Sequence, residues 1–406
     1  VFEVIPPRPA PVGVVGVRAW LRSNLFSSPA NTLLTVVAGL VVGVALANLI
    51  GFVFFDAHWA QVWRNQKLFG AYRYPTELLW RPLSIAAVML GLLGAMSGAA
   101  RDNEIVRRAF FWITGFVTVV AVVALVFWPS VRIWWTLVVV AAAVGFLIGR
   151  AAPRPALKVL PWAWAAWLFL GFFVLYGVQP GEGLLRVVPA RDWGGFLLTL
   201  ILFTGIVPSF PLGVALALGR RSKLPAIKYT CIAFIEIVRG APLIMWLFIA
   251  SLLLPLLLNT DPNNLPSILR AYVAITLFSA AYMAENVRGG LQAVPKGQSE
   301  AARALGLGGW PTMRLIVLPQ ALRAVIPAIV GQAIGLFKDT SLVFIVGLAD
   351  FFRVAELVSV QPESLLVTGG VKLEVYLFVA TVYFFFAYRM SAASRQLEKR
   401  LGVGTR

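Results

Sequence analysis

The stretch "EAARALGLGGWPTMRLIVLPQALR", residues 300–323, decides how the rest of the chain is read. It opens as a helix, because Glu300 to Leu305 are strong helix formers. Gly306, Gly308 and Gly309 then stop that helix, and Pro311 starts a new element. A helix of about ten residues is about 15 Å long, too short to cross a hydrocarbon core of about 30 Å. It carries Ala301, Ala304 and Leu305 on one side and Arg303 on another. Such an element lies on a membrane surface and offers a face to something. An amphipathic helix seated in a groove is a common mode of recognition. A surface helix without a partner fits the same residues.

The runs on either side are apolar enough to lie in lipid. Of the 406 residues, 60% are hydrophobic and 13% charged, and the mean hydropathy is +0.84. Soluble domains average about 45–50% apolar and about 25% charged residues, so this composition belongs to the membrane class. The single Cys231 and single His58 cannot build a disulfide framework, a zinc cluster or a dithiol site. Cys231 lies in an apolar segment and reads as a packing residue. His58 follows the first span near an interface. The net charge of +18 does not point to nucleic acid, because of where it sits. Basic residues recur in clusters between apolar runs: Arg101, Arg107 and Arg108; Arg150, Arg154 and Lys158; Arg220, Arg221 and Lys223; Arg395, Lys399 and Arg400. Clusters at alternate loops follow the positive-inside rule.

About ten segments reach the length of a span. They are residues 33–55, 84–100, 109–128, 133–149, 160–178, 193–219, 226–258, 268–287, 318–337 and 371–390. The expected fold class is therefore an all-α polytopic membrane protein. With the N-terminus inside, every basic cluster falls on the cytoplasmic side, and so do both termini. Segment 226–258 is long and contains Glu236, Arg239 and Pro242, so it is one bent span or two pieces. The division expected is a tail and interfacial segment over 1–30, a membrane extension over 31–190 and a second membrane domain over 191–400. "VFEVIPPRPAPVGVVG" is Pro-rich and expected to be disordered. "VRAWLRSNLF" sets Trp20, Leu21 and Phe26 among Arg18 and Arg22, as an interfacial segment does. No short apolar region with a cleavage site precedes the first span, so no removable signal peptide is expected. Four G-x-x-x-G pairs (Gly39/Gly43, Gly94/Gly98, Gly145/Gly149 and Gly331/Gly335) are either close-packing sites or simply the glycine common in membrane helices.

Charges inside spans are costly and ask for a reason. Glu236 and Arg239 are three apart and share a helix face, so they are placed to pair. Pro242 bends the chain just beyond them. The readings are a structural ion pair at a kink or a broken helix beside a translocation path. Glu285 and Arg288 repeat the spacing toward the cytoplasmic end of their span, with the same two readings. Lys338-Asp339-Thr340-Ser341 lies near an outer helix end. Asp339 and the hydroxyls suit a substrate ammonium; equally, they suit a capped helix end.

The spacing in the opening stretch carries a resemblance. Glu300-Ala301-Ala302, three residues, Gly306, nine residues, Ile316, one residue and Leu318-Pro319 match the EAA loop of ABC-importer membrane subunits without a departure. "EIVRGAPLIMWLF", "AYMAENVRGGLQAVPKGQSEAARALGL", "LPQALRAVIPAIVGQ" and "FKDTSL" resemble the polar amino-acid branch of those permeases over residues 190–400. "WLRSNLFSSPANTLLT" and "YPTELLWRP" resemble the M-type subunit of the general L-amino-acid permease subgroup.

The resemblance implies a five-helix permease core after an extension. It makes Glu300, Ala301, Ala302, Gly306, Ile316, Leu318 and Pro319 the loop that docks on an ATPase. It implies a bacterial inner-membrane importer with two ATPase subunits, a second permease subunit (a relative or a copy) and a periplasmic amino-acid-binding protein. ATP and magnesium would then be bound by the ATPase partners. This chain itself lacks G-x-x-x-x-G-K-[ST], the loop that cradles phosphates. Glu236, Arg239, Glu285, Lys338, Asp339, Thr340 and Ser341 are the expected substrate-path residues. The competing functions are a stand-alone secondary transporter or channel for small polar solutes, and a membrane enzyme using Glu236, Glu285 or Asp339. No inverted repeat joins the two halves, which lowers the first. No nucleophile–base pair or metal set supports the second.

Overall fold

The structure is a computed structural model that describes residues 16–100, 104–127, 132–178, 183–261 and 265–401. Its contacts divide into two compact units, residues 1–60 and residues 61–406. In the first unit, helix α1 (Val17–Asn24) precedes helix α2 (Pro29–Gly51). The Ser28 hydroxyl accepts from Asn31 N–H at 3.2 Å, and Pro29 sits in the first turn, where its missing N–H costs nothing. On α1, Val17 and Trp20 are exposed, as an interfacial segment requires.

In the second unit, after the short helix Gln66–Ala71, come helices α3 (Trp80–Ala99), α4 (Glu104–Phe127), α5 (Arg132–Ala151) and α6 (Leu160–Tyr176). Helices α3 and α5 touch backbone to backbone. A Cβ on Gly145 would lie 2.0 Å from the Gly91 carbonyl oxygen, and one on Gly149 2.0 Å from that of Ala95. A Cβ on Gly94 or Gly98 would meet the carbonyl oxygens of Ala142 and Phe146 at 2.4 and 2.1 Å. Two of the four expected glycine pairs thus form a single joint.

At the other end of α3, Arg81 is fully buried. Its Nε donates to Leu184 O at 3.0 Å and its Nη1 to Arg186 O at 2.9 Å, while Nη2 also reaches Leu184 O. Tyr74 donates to Leu175 O at 2.6 Å and meets the buried Trp193 edge-on at 5.9 Å.

The remaining helices are α7 (Gly195–Phe203), α8 (Ile206–Gly219), α9 (Pro225–Gly240), α10 (Leu243–Leu257), α11 (Ser267–Ala293), α12 (Lys296–Ala304), α13 (Leu318–Asp339), α14 (Phe351–Ser359) and α15 (Lys372–Leu401). Helix α11 is central and buried along most of its length. Gly213 of α8 receives the Met283 side chain, and Gly290 receives Ala321 and Val325 of α13. Gly194 and Gly195 bridge in parallel to Ala349 and Asp350. Gly195 has φ +61°, and a Cβ there would lie 2.4 Å from Phe69 O, so only glycine fits. Phe69 in turn packs on Phe351 and Phe378 at 5.9 and 5.0 Å. The residues before α3 are thereby packed against the C-terminal part of the chain.

The fold is all-α. Among the described residues seven helices are long and apolar enough to cross a membrane, and eight if α9 and α10 form one broken span. All ten expected segments fall on helices, but the count of ten is not reached by length and hydropathy. Helix α6 has 17 residues, and in α4 the apolar stretch is Phe110–Val119. Segment 226–258 resolves into two helices that meet at 111°. Ala241 and Pro242 between them are extended, because Pro242 cannot donate and restricts the residue before it.

Candidate functional site: the short surface helix and the charges above it

Helix α12 comes after α11 with only Val294 and Pro295 between them. Its stop is a Schellman turn: Gly306 N–H donates to Arg303 O at 2.9 Å and Leu307 N–H to Ala302 O at 3.0 Å. Gly306 sits at φ +81°, where a side chain is strained, which is why glycine succeeds Leu305. Ala302 is buried, whereas Glu300, Ala301, Ala304 and Gly306 are exposed. Leu305 is 83% exposed and Trp310 64%, a large apolar offering for a surface loop.

The helix is also tied to the start of α13. Gln320 Nε2 donates to Gln298 Oε1 at 3.1 Å and to Ile316 O at 2.9 Å. Ile316 and Leu318 are half-buried, and Pro319 is exposed in the first turn of α13. Residues 313–317 wind as one wider π-type turn before Pro319, whose missing N–H breaks the regular ladder. The seven loop residues therefore form one rigid corner between α11 and α13, with Glu300, Ala301 and Leu305 facing out.

Above this corner lies a cluster of charges. Glu285 Oε1 accepts from Arg288 Nε at 2.7 Å. Its other oxygen lies 3.4 Å from Arg220 at the end of α8 and 3.4 Å from Arg239 on α9. Glu236 meets Arg220 at 3.1 Å. The Glu285–Arg288 pair expected from spacing is formed. The Glu236–Arg239 pair is not among the ion pairs of the described residues; each residue is drawn to a different helix instead. Arg239 also lies over the Tyr282 ring at 5.4 Å, and its Nε is buried without an acceptor among the described residues. The cluster holds three arginines and two glutamates. Next to it, Asn286 Nδ2 donates to Gln332 Oε1 at 2.8 Å, and Gln332 Nε2 to Ser279 O at 2.7 Å. These neutral bonds fasten α11 to α13.

The third polar region divides. Lys338 is exposed, Asp339 half-buried and Thr340 fully buried. Thr340 Oγ1 donates to Phe337 O at 2.9 Å and Ser341 Oγ to Lys338 O at 2.8 Å, so both hydroxyls are occupied by the helix's own last carbonyls. Asp339 makes no side-chain cap. The capping carboxylate is Asp350, which accepts from Phe352 N–H and Arg353 N–H, both at 3.0 Å, at the start of α14. Burial pushes its carboxyl up to about 6, against the two backbone donors, which pull it down. Tyr383 OH stands 3.4 Å away. Neither Arg220 nor Asp350 is legible as a site residue from the sequence. The first reads as part of a basic loop, and the second as one acidic residue in "GLADFF", where only its place after Gly347 hints at a cap.

Residues 209–403 match the family described as the binding-protein-dependent transport system inner membrane component. The chain is 39% identical to the glutamate/glutamine/aspartate/asparagine transport system permease protein BztC of Rhodobacter capsulatus, over 98% of this chain and 97% of that one. It is 35% identical to the inner membrane amino-acid ABC transporter permease protein YhdY of Escherichia coli, over the same shares. The glutamate/aspartate import permease protein GltK of Escherichia coli is 37% identical, but 53% of this chain covers 96% of it. A chain from a crystal structure of an amino acid ABC transporter with histidines is 30% identical over 51% of this chain and 92% of its own, with a TM-score of 0.45. Near-full-length identity to BztC and YhdY, together with an exposed helix of the EAA pattern held rigidly between two spans, places this chain among the inner-membrane permease subunits of amino-acid ABC importers.

Proposed function

We propose that the chain is one of two membrane subunits in an importer with two ATPase subunits and a periplasmic binding protein. The second permease is a relative of this chain or a copy of it. ATP and magnesium are held by the ATPase subunits. Helix α12 is the ATPase contact: Glu300, Ala301 and the exposed Leu305 face the partner, while Ala302, Ile316, Leu318 and Pro319 hold the helix in place. The observation that carries this reading is the rigid, outward-facing corner. Leu305 and Trp310, exposed just beyond so short a helix, suit a partner surface. Residues 191–400 are the transport core, and 31–190 the extension.

The substrates are amino acids that include acidic ones and their amides, the class named for BztC. The excess of arginine over glutamate in the cluster around Glu285 supports this, as does the Arg239 Nε without an acceptor. Arg239, Glu236 and Glu285 line the inner part of the path, with Lys338 and Asp339 farther out. Thr340 and Ser341 shape the helix end there rather than touching substrate.

Purification from the native membrane followed by intact-complex mass measurement tests the assembly. Two ATPase subunits for every two permeases are expected. A chain that purifies alone and moves amino acids in vesicles without ATP would overturn the proposal.

A further inference from the structure

Helix α9 is lightly buried. Only Ile235 and Val238 are buried along its 16 residues, whereas 13 of the 27 residues of α11 are. Besides those two side chains, α9 is joined to its neighbours by ion pairs, by Arg239 over the Tyr282 ring and by Trp246 Nε1, which donates to Val238 O. Glu285 of α11 reaches Arg239 of α9 and Arg220 of α8, and Arg220 reaches Glu236 of α9. The Glu285 side chain is 22% exposed, so the bonds are accessible to water and exchangeable. By contrast, α11 and α13 are locked by neutral, directional hydrogen bonds through Asn286, Gln332 and Ser279. Segments with few buried contacts are the ones that move first.

Helix α12 follows α11 after two extended residues, Val294 and Pro295, and Glu285 lies eleven residues before Lys296, where α12 begins. A displacement of α12 therefore reaches Glu285 through that short link and the last two turns of α11. We infer, resting on the reading of α12 as the ATPase contact, that Glu285 is the positioning residue that passes movement of α12 to the broken pair α9–α10. It does so by holding Arg239, just ahead of the 111° break, and Arg220, the end of α8, on one carboxylate. Without that carboxylate the three arginines repel one another, and α9 loses its ionic tie to α11 and keeps only the packing of Ile235 and the Arg239–Tyr282 contact. The ATPase would still turn over, but the break beside Gly240 and Pro242 would no longer move with it.

The test uses the assembled importer with its ATPase subunits and binding protein in proteoliposomes. Amino acid taken up per ATP hydrolysed is measured for Glu285→Gln, Glu285→Asp, Arg239→Gln and Arg288→Gln. The expected result is a loss of at least tenfold in that ratio for Glu285→Gln and Arg239→Gln. Glu285→Asp recovers most of the ratio, and Arg288→Gln, whose ion pair is with Glu285 of the same helix, changes it less than threefold. Combining Glu285→Gln with Arg239→Gln is no worse than the poorer single variant, because both cut one link. If Glu285→Gln does not assemble, Arg239→Gln decides by the same ratio. An unchanged ratio, or equal loss of hydrolysis and uptake, in the deciding variant overturns the role of Glu285. If Glu300→Lys uncouples while Glu285→Gln does not, this role fails and α12 as the contact stands. Normal coupling in Glu300→Lys removes the contact itself.

Discussion

Arg81 and Glu285 are both charges set in apolar helices, and they are held in opposite ways. Arg81 has no exposed surface, and its guanidinium is spent on backbone carbonyls of residues 175–186. Those carbonyls cannot leave without moving the chain that carries them. Glu285 keeps some exposure and shares its two oxygens among arginines from three helices, each free to swing away. The extension is thus pinned at its cap by a cation that has nowhere to go. The later helices keep, around Glu285, a set of partners that can exchange. A static charge of this kind stabilises; an exchangeable one allows movement.

The largest effect expected from this contrast is on stability. Arg81→Ala leaves the carbonyls of Leu184 and Arg186 short of a donor, a loss on the order of 1–3 kcal/mol for each. Arg81→Lys recovers little, since one ammonium cannot span acceptors spread across a fork. Glu285→Gln removes only partly exposed pairs, worth about 1 kcal/mol or less each. Thermal unfolding of the detergent-solubilised chain measures both. Similar shifts for the two variants would erase the distinction.

A smaller effect comes from the glycines. Gly145→Ala drives a Cβ into the Gly91 backbone and costs about 1–3 kcal/mol. Gly331→Ala meets nothing within 4 Å in this chain and, as a helical replacement, stabilises it by about 0.5–1 kcal/mol. If Gly331→Ala instead impairs the assembled importer, the open face of α13 is covered by another subunit. Unfolding of the isolated chain beside transport by the complex separates the cases.

The unequal legibility of these regions has physical causes. The corner around α12 is readable because its constraints are local: a helix former run, a glycine at φ +81° and a proline at a helix start all have residue signatures. The two joined glycine pairs and the two open ones look alike in sequence, since the partner backbone leaves no mark on either. Arg81 carries no mark of its role, because carbonyls some hundred residues away leave no sequence signal. The i, i+3 rule places Glu236 against Arg239. Tertiary packing overrides it by bringing Arg220 to Glu236 and Arg239 to Glu285. The Asp339–Ser341 cluster is visible as polar, but which hydroxyls are already spent depends on the helix ending at Asp339.

The central claim is that α12 carries force from a separate ATPase into the membrane helices. Its most direct measurement is uptake per ATP hydrolysed in the reconstituted importer carrying Glu300→Lys or Gly306→Pro. Proline cannot adopt the positive φ that ends α12, and the lysine reverses the charge of an exposed contact residue. The account predicts that both chains insert and assemble, yet the ratio falls at least tenfold; a ratio equal to the parent's in both variants would contradict it.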